Sequence, residues 1–118
     1  FQSSVIRKLA QEESCIIIGR CADYVLNDRD DVVSVFILGD TDARIKCLEQ
    51  RQGLDEAQAR KKIKEVDKDR SSFYKYYSDQ TWGDAQNYDL CINSSKLGVE
   101  GTVATIMSYI KARGLIKE

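Results

Sequence analysis

The sequence predicts an α/β fold with a parallel sheet, because three short apolar runs are separated by helical segments. The runs are CIIIG at residues 15–19, DDVVSVFILGD at residues 30–40 and YDLCINSS at residues 88–95. Uninterrupted apolar runs rich in β-branched residues are typical of strands that are buried on both faces, as those of parallel sheets are. The helical segments between them supply the crossover connections that parallel strands need.

The helices are predicted from apolar spacing and capping residues. Val5, Ile6 and Leu9 indicate a helix before the first run. After the second run, Thr41 or Asp42 is a candidate cap for a helix that continues to about Gln52 and ends at Gly53. Asp55 is the candidate cap of a longer helix whose apolar stripe consists of Ala59, Ile63, Val66, Phe73, Tyr74 and Tyr77.

The remaining aromatic and apolar residues complete the predicted packing. The last helix runs from Val99 to Arg113, and its predicted buried side consists of Val99, Val103, Ile106, Met107 and Ile110. Large rings gain most from burial. We therefore expect Trp82 and the tyrosines to pack at the base of the charged helices, and not to stack on a ligand; these are Tyr74, Tyr76 and Tyr77.

Composition predicts one domain over residues 1–118 and excludes several classes of protein. The chain has 42% hydrophobic residues, 31% charged residues and a net charge of −1. This charge gives no bulk attraction to nucleic acid or to an anionic membrane. No apolar run approaches the roughly 18 residues of a membrane span. No secretory leader is visible, and the chain opens without Met, so we expect a cytoplasmic location and a start inside a longer protein.

The chain has four cysteines and no histidine, which restricts its chemistry. The cysteines are widely spaced, so a zinc site would have to gather thiolates from scattered elements. The favoured interpretation is reduced cysteines, some of them buried as small apolar side chains, and no metal site. Without histidine, Ser-His and Cys-His nucleophiles are excluded. Any catalysis must use carboxylates, lysine, arginine and a bound cofactor.

Arg20 directly follows the first apolar run. Ligands of open α/β sheets bind at the carboxyl ends of the strands, and a guanidinium there suits an anionic oxygen such as that of a phosphate. A salt bridge to a nearby aspartate is the alternative, and position alone leaves both open.

Residues 41–80 hold most of the basic side chains, interleaved with acidic ones. The ordinary interpretation is a solvated helix face with ion pairs one turn apart. The functional interpretation is a mobile cationic lid that closes over phosphates and excludes water. Asp67 and Arg70 are three residues apart, so they share a helix face, where the carboxylate could hold the arginine in position for a ligand. A nucleic-acid-binding helix over residues 60–70 is disfavoured by the interleaved acids.

Three motifs in order resemble the cytidylate kinase-like family of P-loop nucleoside monophosphate kinases. They are GRCADYVL, DTDARIKCLEQRQG after a strand, and KKIKEVDKDRSSFYKYY followed by WGDAQNYDLCINSSKLGVEG. The resemblance implies a partial P-loop NTPase-type fold, a three-layer α/β/α arrangement with a parallel sheet and a helical lid at residues 41–80. It implies a kinase that transfers the γ-phosphoryl group of ATP to a nucleoside monophosphate, CMP first, with Mg²⁺.

The resemblance also implies site residues. Arg20 matches the arginine that binds the acceptor phosphate, while Asp67 and Arg70 match an Asp-x-x-Arg pair that binds phosphate and acceptor. Arg44 and Arg51 match the basic lid, and Asp28 matches an aspartate before the next strand. Of these, Arg51 and Arg70 are predicted to be catalytic, and the others to bind substrate.

One family feature is missing from these 118 residues: a G-x-x-x-x-G-K-S/T loop, or a relaxed glycine-rich version, that cradles the donor phosphates. We therefore expect the carboxyl-terminal part of a longer enzyme, inactive by itself. In this fold the missing strand lies between the first two apolar runs, so a gap is expected there. It would be filled by the remaining protein, by closing up or by a homodimer. The alternative function is a non-catalytic module that binds a nucleotide or a protein.

Overall fold

A computed structural model of the chain describes residues 2–12, 14–19 and 21–115. None of the helices in these ranges combines the length and the apolar character needed to cross a membrane. The described elements are the helices α1 (Gln2–Glu12), α2 (Ala22–Val25), α3 (Thr41–Gln52), α4 (Glu56–Ser78) and α5 (Ser94–Ala112), the strands β1 (Val35–Leu38) and β2 (Leu90–Asn93), and a 3-10 turn at Ala85–Asn87.

The sheet of the described residues has two strands. β1 and β2 pair in parallel, with Val35 opposite Leu90. Just before the ladder, the backbone N–H groups of Asp89 and Leu90 donate to the carbonyl oxygen of Ser34. The second and third predicted strands are therefore confirmed, and the fold is mixed α/β with a small parallel sheet. The predicted three-layer arrangement is not confirmed, because the first apolar run does not join this sheet.

The prediction of a strand at CIIIG is wrong for the described structure. Residues 14–18 have no regular secondary structure. Nor are their side chains buried on both faces, since Ile16 is 93% exposed and Ile18 is 88% exposed. A strand is defined by hydrogen bonds to a neighbour. The β-branched composition of the segment favours a strand. The segment nevertheless makes no such pairing, because no described strand lies beside it.

The α3–α4 hairpin forms as its capping residues predict. Asp40 is the N-cap of α3, one or two residues before the predicted position, and Gly53 ends the helix with a φ of 66°. Asp55 caps α4 through a capping box: the Gln58 N–H donates to Asp55 Oδ1 at 2.8 Å, and the Asp55 N–H donates to Gln58 Oε1 at 3.1 Å. Capping of this kind satisfies backbone donors that the first helical turn leaves unpaired.

The last helix differs from its prediction in length and burial. α5 starts at Ser94, and Gly98 breaks it with a φ of 71° and a ψ of 176°. Val99 and Val103, predicted to be buried, are 82% and 53% exposed. Met107 is 37% exposed, whereas Ile106 and Ile110 are half-buried. The helix contacts both strands, so a two-stranded sheet covers only part of its apolar side.

The apolar core of the described residues is small. One buried cluster consists of Ile6 of α1 with Ala22, Val25 and Leu26 around α2, and Ile17 and Val32 pack against it. Helices α1 and α2 therefore hold Ile17 of the first apolar run, and Val32, three residues before β1, packs against the same cluster. Other buried apolar side chains include Ile45, Ala59, Tyr74 and Ile92.

Candidate functional site: a cavity beside strand β1

A cavity of about 1030 Å³ separates residues 15–19 from β1. Cys15, Ile17 and Ile18 line it on one side, and the consecutive residues 32–37 line it on the other. The gap predicted between the first two apolar runs is therefore open in the described part of the chain. It has not closed up, and two of the isoleucines on its walls remain exposed, Ile18 at 88% and Ile37 at 52%.

The cavity wall also carries charge. Arg29 and Asp31 form a bidentate ion pair with distances of 2.9 and 2.7 Å, and the hydrogen bond from Arg29 lowers the pKa of Asp31. Arg70 forms no hydrogen bond or ion pair with any residue that the structure describes. Its guanidinium is therefore available to an anion. The charged residues that line the cavity are Glu12, Asp23, Arg29, Asp31, Asp69 and Arg70.

Arg44 and Asp67 join α3 to α4. The guanidinium donates to the two carboxylate oxygens at 2.9 and 2.8 Å, and both side chains are about one third exposed. Hydrogen bonding by Arg44 lowers the pKa of Asp67, and the nearby charge of Arg70 lowers it further. A Cβ built on Gly39, the residue after β1, would lie 3.4 Å from Arg44 Cγ. The pair therefore lies near the carboxyl edge of the sheet, where ligands of such folds bind.

Aromatic side chains pack near the C-terminal end of α4. Tyr74 is 4% exposed, and Trp82 meets Phe36 of β1 edge to face, with ring centroids 5.2 Å apart. The prediction that these two residues pack is confirmed. The same prediction is wrong for Tyr76 and Tyr77, which are 81% and 58% exposed. They do not join the ring cluster that Tyr74 and Trp82 form with Phe36 and Tyr88.

The other predicted site residues are not brought to this cluster. Arg51 is exposed in the last turn of α3 and does not line the cavity. Asp28 is exposed and pairs with Arg7 of α1 at 3.5 Å. Arg20 lies outside the described residues, although the preceding Gly19 lines the cavity. The structure thus brings Arg44, Asp67 and Arg70 together and leaves the roles of the other three as predictions.

One polar contact at the cavity was not predicted from the sequence. The Tyr74 hydroxyl donates to Asp23 Oδ2 at 2.7 Å and lies 3.0 Å from the Gln80 side-chain amide. Burial and the Asp23 carboxylate raise the pKa of Tyr74 strongly. The sequence did contain a signal for this contact. A buried tyrosine hydroxyl usually has a hydrogen-bond partner, and Asp23 lies within the GRCADYVL motif. Periodicity alone does not identify that partner across 51 residues.

Comparison with known proteins supports the resemblance. The sequence profile of the cytidylate kinase-like family matches residues 1–96. A crystal structure of an uncharacterized protein from Eubacterium ventriosum ATCC 27560 is similar, with 40% sequence identity and a TM-score of 0.90. The match covers 93% of this chain and 70% of that one. No functionally curated protein matches the chain.

Proposed function

Because the chain belongs to the cytidylate kinase-like family, we propose that it forms the acceptor-binding part of a nucleoside monophosphate kinase. The kinase would transfer the γ-phosphoryl group of ATP to a monophosphate, CMP first. Phosphoryl transfer requires positioning and neutralisation of charge more than a covalent nucleophile. A chain with no histidine and many arginines fits that requirement.

The observation that carries the proposal is the position of Arg70. Its guanidinium is exposed, lines the cavity and lacks a partner among the residues described. A planar cation of this kind binds phosphate oxygens through paired, charge-assisted hydrogen bonds. We assign Arg70 to the phosphate that accumulates negative charge, and Arg20 to the phosphate of the acceptor. Arg51 would join them from the lid if that lid closes.

Asp67 and Arg44 would act as a pair. In the structure each satisfies the other, so binding of a nucleotide by either residue requires some exchange of this contact. The carboxylate accepts hydrogen bonds and the guanidinium donates them. The pair can therefore bind a ribose hydroxyl on one side and a phosphate oxygen on the other. Asp28 stays a weaker candidate for the acceptor.

The donor nucleotide would use groups beyond those described. ATP requires a phosphate-cradling loop, and the 118 residues contain no G-x-x-x-x-G-K-S/T segment. The described residues hold no cluster of ligating side chains for a metal ion. Mg²⁺ would therefore be carried by the nucleotide phosphates, and no residue of this chain is assigned to it. We propose that a strand of the same protein, or a second copy of the chain, fills the cavity and completes the sheet.

The test is phosphotransfer by the full-length protein in a coupled assay of ADP release with ATP, Mg²⁺ and CMP. We expect Arg70→Ala to lower kcat/KM by roughly one to two orders of magnitude, the value of one charge-assisted hydrogen bond. Lys68→Ala is the matched control, because it removes one exposed cation from the same helix. Equal turnover by wild type and Arg70→Ala would contradict the proposed role.

The rival function is a module that binds a nucleotide without transferring phosphate. A glycine-rich phosphate loop with lysine elsewhere in the full-length protein would favour the kinase, and its absence there would favour this rival. CMP that binds the full-length protein tightly, with no ADP released above background, would support this rival. We expect the 118-residue chain alone to release no ADP in either case, because it lacks the donor loop.

A further inference from the structure

Three polar residues of α4 lie on successive turns of one helix face. Asp67, Arg70 and Tyr74 are spaced by three and four residues, which places them above one another along the helix. The first and the last are each bound to a different helix. The middle one, Arg70, is free of partners among the described residues. The inference drawn from this arrangement rests on the proposed function, since it concerns the same anion site.

The first attachment is the Arg44–Asp67 pair, which ties the middle of α4 to α3 by two hydrogen bonds of 2.9 and 2.8 Å. A bidentate contact restrains rotation of both side chains as well as their separation. Any shift of α4 by one turn, about 5.4 Å, would break it.

The second attachment is the hydrogen bond from Tyr74 to Asp23, at 2.7 Å. Tyr74 is 4% exposed, and its ring stacks at 6.3 Å from that of Tyr88. Burial raises the pKa of the phenol, and its hydroxyl donates to Asp23. Asp23 belongs to α2, so this contact ties the far part of α4 to the element that follows Gly19.

Arg70 lies between these two attachments, one turn from each. Asp23, Arg70 and Tyr74 all line the cavity. A long arginine side chain on an unrestrained helix loses conformational freedom when it binds an anion, and prior restraint of the helix reduces that loss. A hydroxyl that touches no ligand can thus contribute to ligand binding.

We propose that Tyr74, through its hydrogen bond to Asp23, is a positioning residue that keeps Arg70 directed into the cavity for an anionic phosphate ligand. Tyr74 itself contacts no ligand. Asp23 acts through Tyr74, and its role is to accept the hydrogen bond from the Tyr74 hydroxyl.

The experiment measures the Kd of CMP and of inorganic phosphate for the full-length protein by isothermal titration calorimetry, and in the variants that keep Arg70 its side-chain ¹⁵Nε resonance reports whether the ligand contacts it. The variants are Tyr74→Phe, Asp23→Asn and their combination, each in the wild-type and the Arg70→Ala background. Tyr77→Phe is the control, since that phenol is 58% exposed and forms no side-chain hydrogen bond among the described residues.

We expect Tyr74→Phe and Asp23→Asn each to raise Kd by roughly three- to tenfold, the value of one hydrogen bond. The double variant should do no more than either single variant, because both remove one contact. In the Arg70→Ala background, Tyr74→Phe should leave Kd unchanged. A merely structural tyrosine would weaken binding equally in both backgrounds and lower Tm in proportion.

The other outcomes distinguish failure of the positioning role of Tyr74 from failure of the proposed kinase function. Unchanged Kd in Tyr74→Phe would overturn the positioning role while leaving the proposed kinase intact. The positioning role would also be overturned if Asp23→Asn raised Kd more than Tyr74→Phe did, and did so in the Arg70→Ala background as well. That result would show direct contact between Asp23 and the ligand. Phosphate binding at Arg70 without ADP release would refute the kinase and preserve the inference. Binding of neither probe to the wild type would refute both.

Discussion

Arg44, in the first turn of α3, holds the carboxylate of Asp67, halfway along α4, with hydrogen bonds of 2.8 and 2.9 Å. The sequence had suggested that Asp67 would steady Arg70, three residues away on the same helix. The structure shows a different partner from another helix. Asp67 therefore has a structural function in this state, independent of any nucleotide.

This ion pair predicts a pH dependence of stability. The pKa of Asp67 is lower in the folded chain than in the unfolded chain, where it is about 3.9. The stabilisation is therefore fully present above that value and is lost as the pH falls through the lower, folded pKa. We expect Asp67→Asn to reduce the free energy of unfolding at pH 7 by about 1 kcal/mol, a value discounted because the pair is partly exposed.

Urea unfolding of both proteins between pH 2 and pH 7 measures this. The difference between wild type and Asp67→Asn should shrink below about pH 4. Asp69→Asn is the control, since Asp69 has no ion pair among the described residues, and we expect a change within about 0.5 kcal/mol. A difference of the same size at pH 2 and at pH 7 would refute the pair as its cause.

Arg20 remains a prediction from the sequence, because it lies outside the described residues. As a phosphate ligand in the full-length protein, Arg20→Ala should lower kcat/KM by roughly one to three orders of magnitude. It should change the free energy of unfolding by about 1 kcal/mol or less. Arg20→Lys should recover only part of the activity, because an ammonium cannot form the bidentate contact.

Kinetics and thermal unfolding of the same Arg20 variants decide between the two interpretations that the sequence left open. A salt bridge to an aspartate predicts the reverse pattern, a large fall in Tm with unchanged kinetics. That result would remove Arg20 from the proposed site.

The open cavity predicts that the 118-residue chain associates with itself or binds hydrophobic dyes. Ile16 and Ile18 are 93% and 88% exposed on a segment without strand partners. We expect Ile16→Asp with Ile18→Asp to reduce dye fluorescence and association in sedimentation velocity, at little cost in Tm, because no buried contact is lost. Val99→Asp, at a residue 82% exposed on α5, is the control. Unchanged association in the isoleucine variant would show that the chain associates through a different surface.

Two glycines with similar backbone angles should respond differently to alanine. Gly53 and Gly83 have φ values of 66° and 85°. A Cβ on Gly53 would meet nothing within 4 Å, whereas one on Gly83 would lie 3.3 Å from the Phe36 ring. We expect Gly53→Ala to cost about 1 kcal/mol of backbone strain, and Gly83→Ala to cost more because the aromatic cluster must also shift. Chemical denaturation measures both, and equal costs would show that the ring yields freely.

The sequence by itself determined those elements whose causes are local. Asp55 with Gln58, and Gly53 before them, define the turn between α3 and α4, because capping involves residues a few positions apart. The runs around β1 and β2 were predicted correctly as parallel strands. The family could also be identified from motifs that stand in order along the chain.

Only the tertiary structure decided what depends on partners distant in sequence. CIIIG has the composition of a strand but forms none, because strand formation requires a hydrogen-bonded neighbour, and the described residues place a cavity there. The partners of Asp67 and Tyr74 lie 23 and 51 residues away. Periodicity gives the face of a helix on which a side chain lies. Only the tertiary structure, in which α4 packs against α3 and its Tyr74 meets Asp23 of α2, brings the Arg44 guanidinium and the Asp23 carboxylate within 3 Å of their partners on α4.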